Sequence, residues 1–395
     1  LARRKGQGRR FLHARELKIM RVINSIADLR ELAQRRMPRG IFEYVDRGSY
    51  DELTLQRNRS DFDAIKFRQR VLIDVSRQTL ARDILGRPAT MPLVLAPAGM
   101  AGMVHGNGEI HAARAAAAFG VPFCLSTVSI CSMEDVRAST RAPFWFQLYV
   151  MKDRGYTTEL IDRASAAGCP VLMMTVDIPV GALRRRDAKN GLSVPPRLTL
   201  RNAVNMASRP RWAWSILTGK RREFGNLSAA VARAGSMPFA QWVASQFDSS
   251  VTWDDLAKIR AHWKGKLIIK GIMDADDARQ AVALGADALV VSNHGGRQLD
   301  GAPSTISVLP RIVDAVQGRC EVMLDSGIRS GQDVLKAMAL GANATLVGRA
   351  WLYGLGAMGE AGVSSALQIM SREMQVSMAL TGCNDIRKVS RAILE

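Results

Sequence analysis

Residues 267–292 read LIIKGIMDADDARQAVALGADALVVS. An apolar run (Leu267–Lys270), a helix-compatible stretch (Ala275–Leu284) and a second apolar run (Ala288–Ser292) follow one another without a hairpin turn between them. A near-continuous apolar run is the mark of a strand covered on both faces, and a helix between two such runs makes a parallel crossover. The unit repeats in both directions. Downstream, Glu321–Leu324 and Ala344–Val347 flank the helical stretch Gln332–Leu340. Upstream come Met91–Ala96, Val121–Ser126, Phe144–Val150 and Val171–Val176, interleaved with Glu109–Phe119 and Tyr156–Ala167. Eight strands alternating with helices predict an α/β fold, a (β/α)8 TIM barrel. A doubly wound sheet is the alternative, but the Gly-rich dinucleotide turn expected after its first strand is missing.

Two segments stand outside the rhythm. Residues 26–44 carry apolar residues at helical spacing, broken at Pro38-Arg39-Gly40, which predicts an N-terminal helical segment. Between the fourth and fifth runs lie about ninety residues, too many for an ordinary connection. The chain is therefore read as a single barrel domain over residues 21–395, with a long insertion after strand four at 181–250. Residues 1–20 are expected to be a basic extension, disordered or not native to the protein.

Charge is regional. The formal net charge is +19. Residues 1–20 contribute +6 and residues 181–222 contribute +10, leaving little for the rest. The insertion also holds Trp212-Ala213-Trp214-Ser215-Ile216-Leu217, followed by Lys220-Arg221-Arg222. Basic side chains beside tryptophan and aliphatic residues suit a segment lying on an anionic membrane surface. A solvated basic loop with tryptophans packed on the barrel is the competing reading. No nucleic-acid-binding motif accompanies the charge, so nucleic acid is not expected as a partner. No apolar run reaches the roughly 18–20 residues that span a bilayer. Five scattered cysteines without a CxxC pair point to reduced thiols in a cytosolic compartment.

Barrel chemistry gathers at the carboxyl ends of the strands. Here those ends read Ala96-Pro97-Ala98-Gly99, Ser126-Thr127, Gln147-Leu148-Tyr149, Thr175-Val176-Asp177, Lys270-Gly271, Ser292-Asn293-His294, Asp325-Ser326-Gly327 and Gly348-Arg349. Such a ring of donors, acceptors and cations is a ligand site. Gly327 and Gly348 let backbone N–H groups approach an anion, and Arg329 and Arg349 supply charge, at the strand ends where barrels commonly hold phosphate. Lys270 can neutralise charge building on a reduced ring, or can simply pair with a neighbouring carboxylate. In Ser292-Asn293-His294-Gly295-Gly296-Arg297 an imidazole and a guanidinium share one rim: a base beside a carboxylate-binding cation. No metal-ligand spacing is present. His105, His111 and His262 are read as structural, and Ala366–Leu380 as a packing helix rather than a cofactor box.

These stretches, together with Phe42-Glu43-Tyr44 and Leu125 to Ser129, resemble the FMN-dependent 2-hydroxy-acid dehydrogenase and oxidase family, its bacterial respiratory L-lactate branch most of all. The resemblance covers about Val22 to Leu394. It implies FMN held by Ala98, Gly99, Ser126, Gln147, Thr175, Lys270, Ser292, Asp325, Gly327, Arg329, Gly348 and Arg349. It implies a small 2-hydroxy acid, L-lactate, held by Tyr44, Tyr149, Arg184 and Arg297, with His294 as base and Asp177 as its partner. Arg184 is the member of a triple-Arg run that lies seven residues past Asp177. Gly99, where the oxidases tend to carry Ala, implies a dehydrogenase that passes electrons to a quinone or other respiratory acceptor. Val128 stands where glycolate oxidases carry a large aromatic residue, and Ala98 replaces a common Thr. A homotetramer, bound peripherally to the cytoplasmic side of the inner membrane, completes the expectation. The rivals are a mandelate-type dehydrogenase, a peroxide-producing oxidase, and a catalytically dead basic barrel that binds membrane or nucleic acid.

Overall fold

The computed structural model describes residues 22–191, 199–228, 245–246 and 248–395. The basic extension expected at 1–20 and parts of the insertion lie outside the described residues.

Three helices come first: α1 (Ile26–Arg36), α2 (Arg39–Asp46) and α3 (Leu53–Ala64). Ser25 and Asp28 close a capping box at the start of α1, and Pro38 separates α1 from α2, as the break at 38–40 predicts. A hairpin of β1 (Arg82–Ile84) and β2 (Arg87–Ala89) follows. The barrel strands are β3 (Leu93–Leu95), β4 (Cys124–Ser126), β5 (Trp145–Leu148), β6 (Val171–Thr175), β7 (Lys266–Ile272), β8 (Ala288–Val291), β9 (Glu321–Leu324) and β10 (Ala344–Val347). All eight are parallel, in the order β3-β10-β9-β8-β7-β6-β5-β4. A bridge between Leu95 and Phe123 joins the first strand to the approach of the second and closes the ring. The fold is the expected (β/α)8 barrel. Several strands are shorter than their apolar runs because the run's last residues already turn into the loops of the rim.

Alternation along each strand divides the core in two. Val171 and Met173 of β6 point inward with Val94, Ile268, Val290, Met323 and Leu346, while Leu172 and Met174 face the helices. Ile84, Leu85 and Ala89 of the hairpin join the inner set and plug one end. The other end is left for the site.

Between the strands run α4 (Ala101–Val104), α5 (Gly108–Phe119), α6 (Met133–Ser139) and α7 (Arg154–Ala166). The insertion contributes α8 (Arg185–Lys189), α9 (Leu200–Ala207) and α10 (Pro210–Leu217). Beyond it lie α11 (Trp253–His262), α12 (Ala275–Ala283), α13 (Thr305–Val316), α14 (Gly331–Ala339), α15 (Arg349–Met358) and α16 (Glu360–Leu380). Among the described residues no helix is long and apolar enough to cross a membrane, and no cluster of His, Cys, Asp or Glu could hold a metal ion.

The insertion departs from its simplest reading in two ways. Trp212 is buried and its indole N–H donates to the Met103 carbonyl at 2.9 Å, so it packs on the barrel. Trp214, two positions on and so on the opposite face of the helix, is 70% exposed. The basic run is also partly spent. Lys220 and Arg221 both pair with the buried Asp135 carboxylate of α6, and Arg222 donates to the Leu217 carbonyl.

Burial alone would push the Asp135 carboxyl up. Hydrogen bonds from Arg221, Lys220 and its own helix cap outweigh that and hold it at about 2. A folded value below the unfolded value of about 3.9 stabilises the fold above pH ~4, and this contribution fades as pH falls toward ~2. Asp135→Asn is therefore expected to cost about 2 kcal/mol at neutral pH. Urea denaturation at pH 7 and pH 3 should show the gap to wild type narrowing at the lower pH; a gap that widens contradicts the assignment.

Candidate active site

A cleft of about 230 Å³, partly open to solvent, lies at the carboxyl ends of the strands. Its walls include Tyr44, Ala98, Gly99, Tyr149, Arg184, Lys270, His294, Arg297, Asp325, Gly327, Arg329, Gly348 and Arg349. Ser126, Gln147, Thr175 and Ser292 lie buried at the strand ends around it. The structure thus gathers the sequence-predicted residues at one end of the barrel, although several of them are held in ways the sequence does not reveal.

The His294 loop is shaped by backbone. His294, Gly295 and Gly296 have φ of +57°, +70° and +69°, three successive left-handed residues. A Cβ on Gly295 would fall 2.7 Å from the Arg349 guanidinium, and one on Gly296 2.6 Å from the Leu55 nitrogen, so glycine is required at both. The His294 N–H donates to Ser292 Oγ at 3.1 Å, and its Nδ1 lies 3.0 Å from Asp177 Oδ1. That contact leaves Nε2 as the nitrogen free to take a proton. Burial disfavours the Asp177 carboxylate, but His294 and Lys270 outweigh it and hold the group below the usual carboxylate range.

Lys270 is aimed by a bulge. The β7–β8 register shifts between Lys270 and Ile272, and Gly271 at φ +114° packs so close that a Cβ would meet that of Asp177 at 2.7 Å. Its ammonium lies 3.0 Å from Asp325 Oδ2 and donates to Ser292 Oγ at 2.8 Å. Burial would lower its pKa, yet Asp325 and Asp177 keep it raised, so the cation persists. Lys270 is thus paired with Asp325 and lines the cleft.

Two guanidiniums converge on Tyr44. Arg297 lies 4.8 Å and Arg184 5.6 Å from the ring centroid. Arg297 donates to the Tyr44 and Arg47 carbonyls, and Arg184 pairs with Asp187 at 3.2 Å. Burial, with Arg184 nearby, lowers the Arg297 pKa. Tyr149, also in the wall, is pushed well above the ordinary phenol range by burial and by Asp177, so it remains a hydrogen-bond donor.

At the phosphate end, Gly327, Arg329, Gly348 and Arg349 all line the cleft. Arg349 donates to the carbonyls of Val45 at 2.9 Å, Gly295 at 2.8 Å and Arg47 at 3.0 Å, so much of its fork is engaged by backbone. Gly327 is required by packing: its φ is +93° and a Cβ would lie 2.0 Å from the Asn58 carbonyl. At Gly348 nothing lies within 4 Å of the Cβ position, and this is the open approach.

A flavin fits what is left over. Gln147 Nε2 and Thr175 Oγ1 are buried without a hydrogen-bond partner in the protein. Buried polar atoms are nearly always paired, so these two call for acceptors or donors from a bound group. Ser126 Oγ donates to Gln147 Oε1 at 3.0 Å, which turns the amide nitrogen away from Ser126.

Sequence reasoning missed the residues that brace this rim. Asn58 of α3 and Asn293 exchange two amide hydrogen bonds, both 2.8 Å. Ser49 donates to the Gln298 carbonyl, and Asp300 accepts from the N–H groups of Asp51 and Thr54 at the start of α3. Partners this far apart in sequence leave no periodic signal; the Asp300 cap comes from another segment entirely. His105, His111 and His262 take structural partners: Gly106 O, Glu360 and Asp162.

Residues 33–395 match the family model described as FMN-dependent dehydrogenase. The L-lactate dehydrogenase of Caulobacter vibrioides (strain NA1000 / CB15N) is 49% identical over 375 residues, covering 94% of this chain and 98% of that protein. That of Stenotrophomonas maltophilia (strain R551-3) is 48% identical over 372 residues, with the same coverage. Among solved structures, the monotopic membrane protein (S)-mandelate dehydrogenase superposes with a TM-score of 0.89 at 36% identity, over 94% of this chain and 99% of that one. A mandelate oxidase does so with 0.81 at 38% identity, over 95% and 98%.

Proposed function

The chain belongs to the FMN-dependent dehydrogenase family, and from that premise we propose that it oxidises L-lactate to pyruvate and passes the electrons to a quinone at a membrane surface. The observation that carries the chemistry is the His294–Asp177 pair opening on the same cleft as the two guanidiniums at Tyr44. Arg184 and Arg297 bind the substrate carboxylate, and Tyr44 and Tyr149 hydrogen-bond its oxygens. His294 takes a proton from the substrate through Nε2, and ionised Asp177 orients the ring and stabilises the imidazolium. FMN, when bound, accepts the two electrons. Gln147 and Thr175 would hold it by their unpaired buried atoms, and the Lys270 cation would offset negative charge on it.

Lactate is preferred because the relatives of highest identity quoted above carry that name. A second reading, a larger 2-hydroxy acid such as mandelate, is favoured by one local feature. Val128 is small, and Gly181 in the cleft wall has nothing within 4 Å of its Cβ position. The quinone rests on Gly99 and on an exposed apolar surface. Leu200 and Val204 of α9 and Trp214 and Leu217 of α10, all within the basic insertion, are each more than 60% exposed.

Stopped-flow mixing with L-lactate and with (S)-mandelate, then reoxidation by oxygen or by a short-chain quinone, tests substrate and acceptor separately. L-lactate should reduce the flavin with the higher kcat/KM, and the quinone should reoxidise it far faster than oxygen. Fast reoxidation by oxygen would make the protein an oxidase; a protein that takes up no FMN would be a dead barrel.

A further inference from the structure

Arg184 occupies an awkward place. It precedes α8, the first element of the long insertion. Its ion pair with Asp187, three residues on, orients the side chain within that segment but does not fix the segment to the barrel. The neighbouring Arg185–Asp51 pair is more than half exposed on both sides and holds little.

The segment is tied at both ends: the Tyr50 N–H donates to the Leu183 carbonyl at 3.1 Å just before Arg184, and beyond it the side-chain connection runs through Asn190, the C-cap of α8. Its Nδ2 donates to Glu43 Oε2 at 2.7 Å, and Glu43 Oε1 accepts from Arg39 Nε at 2.9 Å. Glu43 is 9% exposed and immediately precedes Tyr44, over whose ring Arg184 lies. A Cβ on Gly40 would stand 3.5 Å from that of Asn190, so α2 and the end of α8 are in contact. Burial works against the Glu43 charge, but Asn190 and Arg39 hold its carboxyl below the ordinary range. A charged acceptor makes this hydrogen bond the stronger kind. The Asn190 carbonyl in turn accepts from Asn202 Nδ2 of α9 at 2.9 Å.

We propose that Glu43 and Asn190 are positioning residues for the reaction: their hydrogen bond fixes α8 against α2 and so seats Arg184 over Tyr44, where it meets the substrate carboxylate. The proposal rests on the reading of Arg184 as a carboxylate ligand. Neither Glu43 nor Asn190 lines the cleft; both act through Arg184. Losing the bond leaves the Tyr50–Leu183 backbone contact as the tie at one end only, so the far end of α8 drifts and anion binding weakens, while the His294–Asp177 pair, on separate elements, keeps its geometry.

The test uses the FMN-loaded full chain. Asn190→Ala should raise KM for L-lactate about tenfold, the scale of one hydrogen bond to a charged group. The saturated rate of flavin reduction should stay within about twofold of wild type by the same reasoning. The dissociation constant of oxalate, read from perturbation of the flavin spectrum, should rise in step, and Asn190→Gln, which keeps the amide donor, should recover part of both. Arg184→Ala is the control. If it weakens lactate and oxalate binding while Asn190→Ala leaves them unchanged, the strut is overturned and the carboxylate reading stands. If Arg184→Ala changes neither, the carboxylate reading fails and takes the strut with it. A loss of FMN or of saturated rate in Asn190→Ala without a change in KM overturns the proposal in favour of a general structural role.

Discussion

His294→Gln is expected to slow flavin reduction by L-lactate by about 10²–10⁴-fold or more, with FMN still bound. Glutamine retains polarity and approximate size but cannot take a proton at neutral pH. The residues assigned to the flavin lie elsewhere: Gln147 and Ser126 bond each other, and Lys270 is held by Asp325 and Ser292. The backbone of the loop also survives, because its left-handed turn depends on Gly295 and Gly296 and on the Asn58–Asn293 amide pair. The measurement is stopped-flow reduction under anaerobic conditions, with FMN content determined beforehand. Undiminished reduction removes His294 from the proposed role. Lost FMN shows that the imidazole serves the cofactor instead. Asp177→Asn is expected to fall between wild type and His294→Gln, since it leaves the base in place but takes away the charge that stabilises imidazolium.

The triple variant Val204→Ser, Trp214→Ser, Leu217→Ser is expected to release the protein from anionic vesicles, lowering its partition constant by about two orders of magnitude. The three side chains are 62%, 70% and 61% exposed. At roughly 1–1.5 kcal/mol for each side chain partly sunk in the interface, they contribute about 3 kcal/mol together. Flavin reduction by lactate in solution should not change, because none of the three lines the cleft. Raised salt should weaken wild-type binding only in part, since Lys220 and Arg221 are engaged with Asp135 and offer less charge to lipid than their number suggests. Sedimentation with vesicles of anionic and of neutral lipid measures both effects. A variant that stays bound shows that the membrane contact lies elsewhere.

The barrel was legible because strands covered on both faces must be nearly all apolar, and the chain repeats that signal eight times. The site was legible because the fold puts strand ends together: once β8 is a strand, His294 has to lie on the rim with Lys270 and Asp177. What stayed hidden depends on contacts that no spacing encodes. Arg349 at a strand end is expected as an anion ligand, but its three hydrogen bonds to backbone carbonyls, which fix its place in the cleft wall, have no mark in the spacing. The Asn58 carbonyl that makes glycine necessary at 327 comes from α3, more than 260 residues away, and leaves no signal at that position. Trp212 and Trp214 look alike in a basic loop until a helix turns them to opposite faces, one onto the Met103 carbonyl and one to solvent. The Asn58–Asn293 pair joins segments 235 residues apart, and asparagine at either position carries no mark of it in the sequence.

The most direct test of the account is the visible absorption spectrum of the purified protein, recorded anaerobically before and after addition of L-lactate. The expected result is an oxidised flavin spectrum that bleaches within the mixing time of a cuvette and returns when a quinone is added. A flavin spectrum that L-lactate leaves unchanged would contradict the assignment of His294, Asp177 and the two arginines as a lactate-oxidising site.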